Sequence, residues 1–151
     1  MGRAARSGRK PAQRAGKGVY PGASSGSWGF VNDERRCLII DGQPTTRLGV
    51  RGLLADRYEV EEAENGRGAL ELLTVLGDFD VAIVELPEGP EAVDRGLTGI
   101  RAIRALRKAR PGLGIVAHAT HPERRVVTEA MHAGATAFVA KNSPCASLIW
   151  R

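Results

Sequence analysis

The chain has 151 residues and a formal net charge of +5, and this length suits one domain that folds without disulfide staples. Its two cysteines favour free thiols in a reducing compartment over a disulfide framework. No apolar run approaches the roughly 18 residues of a membrane-spanning helix and no secretory signal is visible, so we expect a cytoplasmic protein with no membrane partner.

Residues 1–33 differ in composition from the rest of the chain. They are rich in Gly, Ser, Arg and Ala, lack hydrophobic periodicity, and carry basic residues with no acid up to Asn32. Such a segment cannot bury enough surface to offset the entropy of ordering. We therefore predict a disordered basic tail over 1–33 and a folded domain over 34–151. The tail either contacts nucleic acid through phosphate neutralisation or is an N-terminal extension without a role.

From Arg36 onwards, short apolar runs alternate with amphipathic stretches, which is typical of an α/β domain. The predicted strands are Cys37–Ile40, Tyr58–Glu62, Asp80–Leu86, Leu113–Ala119 and Ala135–Ala140. Strands separated by helices predict a doubly wound, flavodoxin-like parallel sheet covered on both faces. Its functional crevice is expected at the carboxyl ends of the strands.

Amphipathic helices are predicted between the strands. Pro44 opens the first, Asn65 caps the second, Gly99 begins the third, and Pro122 and Gly134 bound the fourth. The residues predicted to face inward are Leu48, Leu53 and Leu54, then Ala69, Leu70, Leu73 and Leu76, then Ile100, Ile103 and Leu106, then Val126, Val127, Ala130 and Met131. The third helix has a basic outer stripe, predicted as a solvated face: Arg101, Arg104, Arg107 and Lys108.

A last helix is predicted from Ser143 and Pro144 and is only about two turns long. Leu148, Ile149 and Trp150 follow in it, and a helix this short leaves part of the sheet uncovered. Marginal stability, dimerisation through that surface and a truncated product are the alternatives. We expect no output domain of the chain's own.

The predicted strand ends bring charged side chains to one edge of the sheet. Asp41, Glu85 and Lys141 each follow or end an apolar run, and Ala119 with Thr120 ends the fourth strand. Two carboxylates and one ammonium are therefore predicted to converge in the crevice.

Several separated segments resemble response-regulator receiver domains over about residues 36–148. They are Leu38-Ile-Ile-Asp-Gly-Gln-Pro44, Asp80-Val-Ala-Ile-Val-Glu-Leu86 and Ala133-Gly-Ala-Thr-Ala-Phe-Val-Ala-Lys-Asn-Ser-Pro144, with Asn65-Gly66 at the second helix. In that family, two acids after strand one and an aspartate after strand three hold magnesium. That aspartate accepts a phosphoryl group from a histidine kinase. A hydroxyl residue after strand four and a lysine after strand five bind the phosphoryl oxygens, and an aromatic residue on strand five reports the change.

Matched position by position, the chain departs from this pattern. Asp41 matches one acid, but Gly42 stands beside it, and Glu85 occupies the place of the phosphorylated aspartate. The hydroxyl position is matched by Ala119, with Thr120 next to it as the alternative if the strand register slips by one. Lys141 is retained, and Phe138 takes the aromatic position without a phenolic oxygen.

These departures weaken the phosphorylation chemistry. Asp41 and Glu85 are the acids left for magnesium, which prefers several oxygen ligands, so magnesium binding is expected to be weakened. The extra methylene of Glu85 displaces the nucleophilic oxygen, and positioning is most of what catalyses phosphoryl transfer. A charge-assisted bond from Glu85 to Lys141 would instead keep the domain active-like. The alternative is a remnant ion pair whose only consequence is stability.

We therefore predict an atypical receiver that is not an enzyme. It would act as an interaction module for a histidine kinase or a downstream effector, through the fourth helix, fifth strand and last helix, and could form a homodimer there. One alternative is a fragment or relative of a DNA-binding response regulator whose tail contacts nucleic acid. Another is a regulator still phosphorylated on Asp41 or Glu85.

Two further patterns suggest ligand binding. His118 and His121 flank the crevice and, with the two acids, offer nitrogen and oxygen ligands to a transition metal. Alternation along a strand allows at most one of these histidines to face Glu85, so a metal site is disfavoured; His132 is expected to be exposed. Gly66-Arg-Gly68 lacks the third glycine of a dinucleotide loop, so nucleotide binding is not predicted.

Overall fold

A computed structural model describes residues 35–89 and 96–143. The described elements are, in chain order, β1 Arg35–Ile40, α1 Pro44–Leu54, β2 Tyr58–Ala63, α2 Gly66–Leu76, β3 Val81–Glu85, α3 Gly99–Ala109, β4 Gly114–Ala119, α4 Arg124–Ala133 and β5 Ala137–Ala140. Each predicted strand, and each of the helices predicted between them, is present with small shifts at its ends. The tail over 1–33 and the last helix from Pro144 lie outside the described residues.

The strands form one five-stranded sheet in the order β2-β1-β3-β4-β5. Every neighbouring pair is parallel, so the predicted doubly wound parallel sheet is confirmed. β1 pairs with a strand on either side, and its residues 37–40 are buried. This explains why the run Cys37–Ile40 is apolar throughout, since a central parallel strand is covered on both faces.

Successive residues of a strand contribute their side chains to two hydrophobic clusters, one on each face of the sheet. One cluster takes Leu38 and Ile40 of β1 and packs them with buried residues of α2, α3 and α4. The other takes Cys37 and Ile39 and packs them with Val50 and Leu54 of α1. This alternation also decides the face on which each strand-end side chain emerges.

The inward faces of the helices are only partly as predicted. Leu48 is 70% exposed, and Leu53, Leu76 and Met131 are also exposed, so these predictions are wrong. In α1 the buried pair is Val50 and Leu54, four residues apart, and Leu53 is rotated by about 100° from Leu54. The core face of α4 likewise runs through Ala130 and Ala133, which turns Met131 outward.

The helix ends follow local chemistry. Asn65 Oδ1 accepts a hydrogen bond from the backbone N–H of Gly68 at 3.1 Å, so the predicted cap of α2 is confirmed. A Cβ on Gly66 would lie 2.7 Å from the Leu97 carbonyl oxygen, so the first turn of α2 meets the segment before α3 at a glycine. Gly134 ends α4 with a φ of +121°, which favours glycine.

Arg107 does not belong to a solvated face. Its guanidinium donates to the carbonyl oxygens of Gly134, Pro111 and Leu113 at 2.7 Å. It therefore ties α3 to the turn between α4 and β5, whereas Arg101, Arg104 and Lys108 are exposed. Within the described ranges, none of the helices has the length and apolar character needed to cross a membrane.

Candidate functional site

Three charged side chains meet at the carboxyl ends of the central strands. Asp41 directly follows β1, Glu85 ends β3, and Lys141 directly follows β5. Lys141 Nζ donates to Asp41 Oδ2 at 3.1 Å and to Glu85 Oε1 at 3.0 Å. The predicted convergence of two carboxylates and one ammonium is therefore what the structure shows.

The remaining carboxylate oxygens also have protein donors. Asp41 Oδ1 accepts from the backbone N–H of Gln43 at 2.8 Å, and Glu85 Oε2 accepts from that of Gly42 at 3.1 Å. The exposed side-chain fraction is 3% for Asp41, 15% for Lys141 and 17% for Glu85. The three groups thus form a compact, largely desolvated triad in which every carboxylate oxygen accepts a hydrogen bond.

The two carboxylates differ electrostatically. Burial raises the pKa of Asp41 above its ordinary value, and the nearby charge of Glu85 acts in the same direction. Burial would also raise the pKa of Glu85, but the hydrogen bond and charge of Lys141, together with the contacts to Asp41 and the Gly42 backbone, lower that pKa on balance. Burial would lower the pKa of Lys141, yet its bond to Glu85 and the charge of Asp41 raise it. Glu85 is therefore the more readily ionised of the two acids, and its charge and that of Lys141 stabilise each other.

The histidines near the site are separated. His118 is buried and lies opposite Glu85 in the β3–β4 register. Burial, together with the charge of Lys141, lowers its pKa to about 4. His121 is exposed, and its backbone N–H donates to the Glu88 carboxylate, with Nδ1 3.6 Å from Glu88 Oε2. One histidine faces Glu85 and the other does not, as the strand alternation predicts.

Ala119 and Phe138, which match the hydroxyl and aromatic positions of the family pattern, lie on the opposite face of the sheet from His118. Ala119 is buried at the end of β4, and Phe138 of β5 packs against the same cluster. Thr120 is half-buried and follows the strand, so the register does not bring its hydroxyl into the place of Ala119. The Ala119 carbonyl oxygen accepts a hydrogen bond from the backbone N–H of Lys141 at 2.7 Å. The pairing of β4 with β5 therefore continues to that lysine.

A cavity of about 300 Å³ opens beside the triad, between the strand ends and the starts of α2 and α3. Gly42 lines it, and a Cβ built on Gly42 would meet nothing closer than 4.0 Å. Glu88 also lines it. The role of Glu88 in holding His121 was missed from sequence, because it depends on a loop conformation that no periodicity encodes.

The described residues offer a magnesium ion few free ligands, and the weakened magnesium binding expected from the sequence stays a prediction. Magnesium needs near-octahedral oxygen ligands, whereas the oxygens of Asp41 and Glu85 already accept from Lys141, Gln43 and Gly42. Gly42 supplies no side-chain ligand. In the described part of the chain, no group of three or more His, Cys, Asp or Glu is placed to hold a metal ion, which also disfavours the histidine-containing metal set.

Known proteins similar to this chain include one family and several solved structures of the same fold. The family described as the response regulator receiver domain matches residues 37–150. Chemotaxis protein CheY4 of Vibrio cholerae is similar at 26% identity, with a TM-score of 0.66 over 76% of this chain and 92% of that chain. The receiver domain of NtrX from Brucella abortus shares 21% identity and a TM-score of 0.66 over 74% of this chain and 90% of that chain, a likeness of fold alone. Among curated proteins, none matches the chain.

Proposed function

The chain belongs to the response regulator receiver domain family, and we propose that it is an atypical receiver that presents its signalling surface without being phosphorylated. Receiver domains are generally non-enzymatic signalling modules. The observation that carries the proposal is the double contact of Lys141 Nζ, at 3.0 Å to Glu85 and 3.1 Å to Asp41.

Lys141 meets a negative charge at Glu85. The family resemblance implies that this lysine binds phosphoryl oxygens. Here its ammonium donates a hydrogen bond to Glu85 Oε1. A charge-assisted bond of this kind is short and strong in a desolvated site. Glu85 therefore supplies, permanently, a negative charge to the lysine that a phosphoryl group would otherwise engage.

The surroundings of Glu85 disfavour phosphoryl transfer to it. A carboxylate nucleophile needs a free, aligned oxygen and a cation to neutralise the incoming phosphoryl group. Both oxygens of Glu85 accept hydrogen bonds, from Lys141 and from Gly42. Since Gly42 supplies no side-chain ligand and magnesium binding is therefore expected to be weakened, we expect no phosphorylation at Glu85.

The end of β5 links Lys141 to the proposed signalling surface. Phe138 lies on β5, three residues before Lys141, and is half-buried against the core. A lysine held in one position by Glu85 holds the end of β5, because the Lys141 backbone also bonds to Ala119. We propose that α4 and β5 form the surface read by a histidine kinase or a downstream effector.

The test compares the natural chain with a repaired one carrying Gly42→Asp and Glu85→Asp. Each is incubated with magnesium and a small-molecule phosphodonor, and intact mass and amide NMR spectra are recorded. We expect no adduct on the natural chain. The repaired chain should form one, because a side chain at position 42 has room and aspartate restores the shorter nucleophile. A phosphoryl adduct on the natural chain, with shifts at Lys141 and Phe138, would overturn the proposal.

A third variant separates a functional contact from a remnant ion pair. Glu85→Gln removes the charge that Lys141 meets, and the amide shifts of Phe138 and α4 should then move. Glu62→Gln is the matched control, since Glu62 pairs with Arg51 at 3.1 Å on β2. If Glu85→Gln shifts only its immediate neighbours, the triad is a stabilising remnant and the active-like reading is wrong.

A further inference from the structure

A second surface, away from the triad, lies between α2 and the start of α3. It is a groove of about 730 Å³ whose apolar lining includes Leu70, Val75 and Leu97. Val75 is 75% exposed, although a large apolar side chain is usually turned inward on a helix that packs on a sheet. The groove therefore offers apolar surface that the described fold leaves uncovered.

Basic side chains border this groove. Arg67 and Arg101 line it, and Glu71 is the acid among the lining residues. Arg104 and Lys108 continue the exposed face of α3 beyond Arg101, at spacings of three and four residues that place them side by side. We call Arg101, Arg104 and Lys108 the α3 basic stripe.

The α3 basic stripe is not neutralised by acidic side chains of the described residues. Some other arginines of the described surface pair with acids, as Arg125 does with Glu129 at 2.9 Å and Arg110 with Asp78 at 3.1 Å. No acid lies within ion-pair distance of any stripe residue in the part of the chain that the structure describes. The helix Gly99–Ala109 itself contains no acid. Three neighbouring like charges without counter-charges favour an acidic ligand.

We propose that the α2–α3 groove binds an acidic amphipathic helix of a partner protein. The apolar lining fits the apolar face of such a helix, and the α3 basic stripe fits acids along its flank, which is the helix-in-groove mode of recognition. The phosphate backbone of a nucleic acid would contact the α3 basic stripe but leave Leu70, Val75 and Leu97 uncovered. This surface is separate from the triad, so the inference does not depend on the proposed function.

The probe is a synthetic acidic amphipathic peptide of about 15 residues, long enough for helix to be populated. Its counterpart has the same composition scrambled so that no apolar face forms. Binding to the full chain is followed by fluorescence anisotropy and by amide NMR. We expect the amphipathic peptide to bind at least about tenfold more tightly than the scrambled one. Shifts should centre on Leu70, Val75, Leu97 and Arg101.

Charge reversal tests the stripe. Arg101→Glu with Lys108→Glu should weaken peptide binding by about tenfold or more. The control, Arg57→Glu with Arg124→Glu, changes two exposed arginines elsewhere by the same net charge and should leave binding nearly unchanged. Equal binding of both peptides, shifts centred elsewhere, or equal loss in both double variants would overturn the inference. Tighter binding of duplex DNA or anionic vesicles at the same residues would do so too.

Discussion

Lys141 carries one positive charge between two carboxylates, and its surroundings explain the ionisation of all three groups. Asp41 is the more buried acid and its pKa is raised by that burial, while Glu85 keeps a lowered pKa because Lys141 bonds to it. The Glu85 carboxylate lies within hydrogen-bond distance of the Lys141 ammonium.

The triad predicts the effect of removing the ammonium. Lys141→Met leaves Asp41 and Glu85 as desolvated carboxylates without a counter-charge, and we expect it to lower the free energy of unfolding by about 3 kcal/mol. Urea unfolding monitored by circular dichroism measures this. Lys108→Met, at an exposed position of α3, should change stability by no more than about 0.5 kcal/mol. A comparably small loss for Lys141→Met would mean that the triad does not hold the strand ends together.

At the scale of elements, helix orientation is the part of the fold that sequence pattern defined least well. Helices α1 and α4 are short, and each carries apolar residues on more than one side, so an inward stripe drawn through the largest side chains was misplaced at Leu48 and Met131. The contacts that set the rotation are tertiary: Val50 and Leu54 meet the sheet. Small buried residues such as Ala102 and Ala130 contribute little to a hydrophobic periodicity, although they lie at the packed face of their helices.

Arg107 gives a prediction at this scale. Arg107→Met removes donors to the carbonyl oxygens of Pro111, Leu113 and Gly134, which would leave part-buried acceptors unpaired. We expect a loss of about 2 kcal/mol in unfolding free energy and faster amide exchange in the turn between α4 and β5. Arg104→Met, three residues earlier on the exposed stripe, is the control and should do neither. Equal effects of the two substitutions would contradict the anchoring role.

For the whole molecule, the order of elements and the parallel sheet were predictable because apolar runs alternate with amphipathic stretches. The meeting of Asp41, Glu85 and Lys141 was also predictable, since the ends of parallel strands share one edge. The backbone donors from Gln43 and Gly42, and the contact between Glu88 and His121, were not. They depend on loop conformations and side-chain rotamers, which periodicity does not encode.

Global stability should depend on pH through His118. Its pKa is lowered from 6.5 to about 4 in the folded chain, so between these values the unfolded state binds more protons and stability falls as the pH falls. The full shift corresponds to about 3 kcal/mol. The raised pKa of Lys141 keeps that group charged throughout this window. The raised pKa of Asp41 acts in the opposite direction from its ordinary value of 3.8 upwards, so the contribution of His118 is isolated by comparing the natural chain with a His118 variant.

Urea unfolding from neutral pH down to about pH 5 measures this dependence. His118→Gln should flatten the slope, because the buried imidazole is gone. His121→Gln changes an exposed histidine and should preserve the slope. An unchanged slope in His118→Gln would assign the pH dependence to other groups.

The strand order β2-β1-β3-β4-β5 has a consequence for how the chain is made on the ribosome. Once β1 and β2 have paired, β3 adds to the free side of β1, β4 adds to β3, and β5 adds to β4. The sheet can thus grow at one edge in the order in which synthesis delivers the strands, N-terminal part first. No strand has to insert between two that are already paired, and Lys141, which arrives with the last strand, closes the triad only when the sheet is complete.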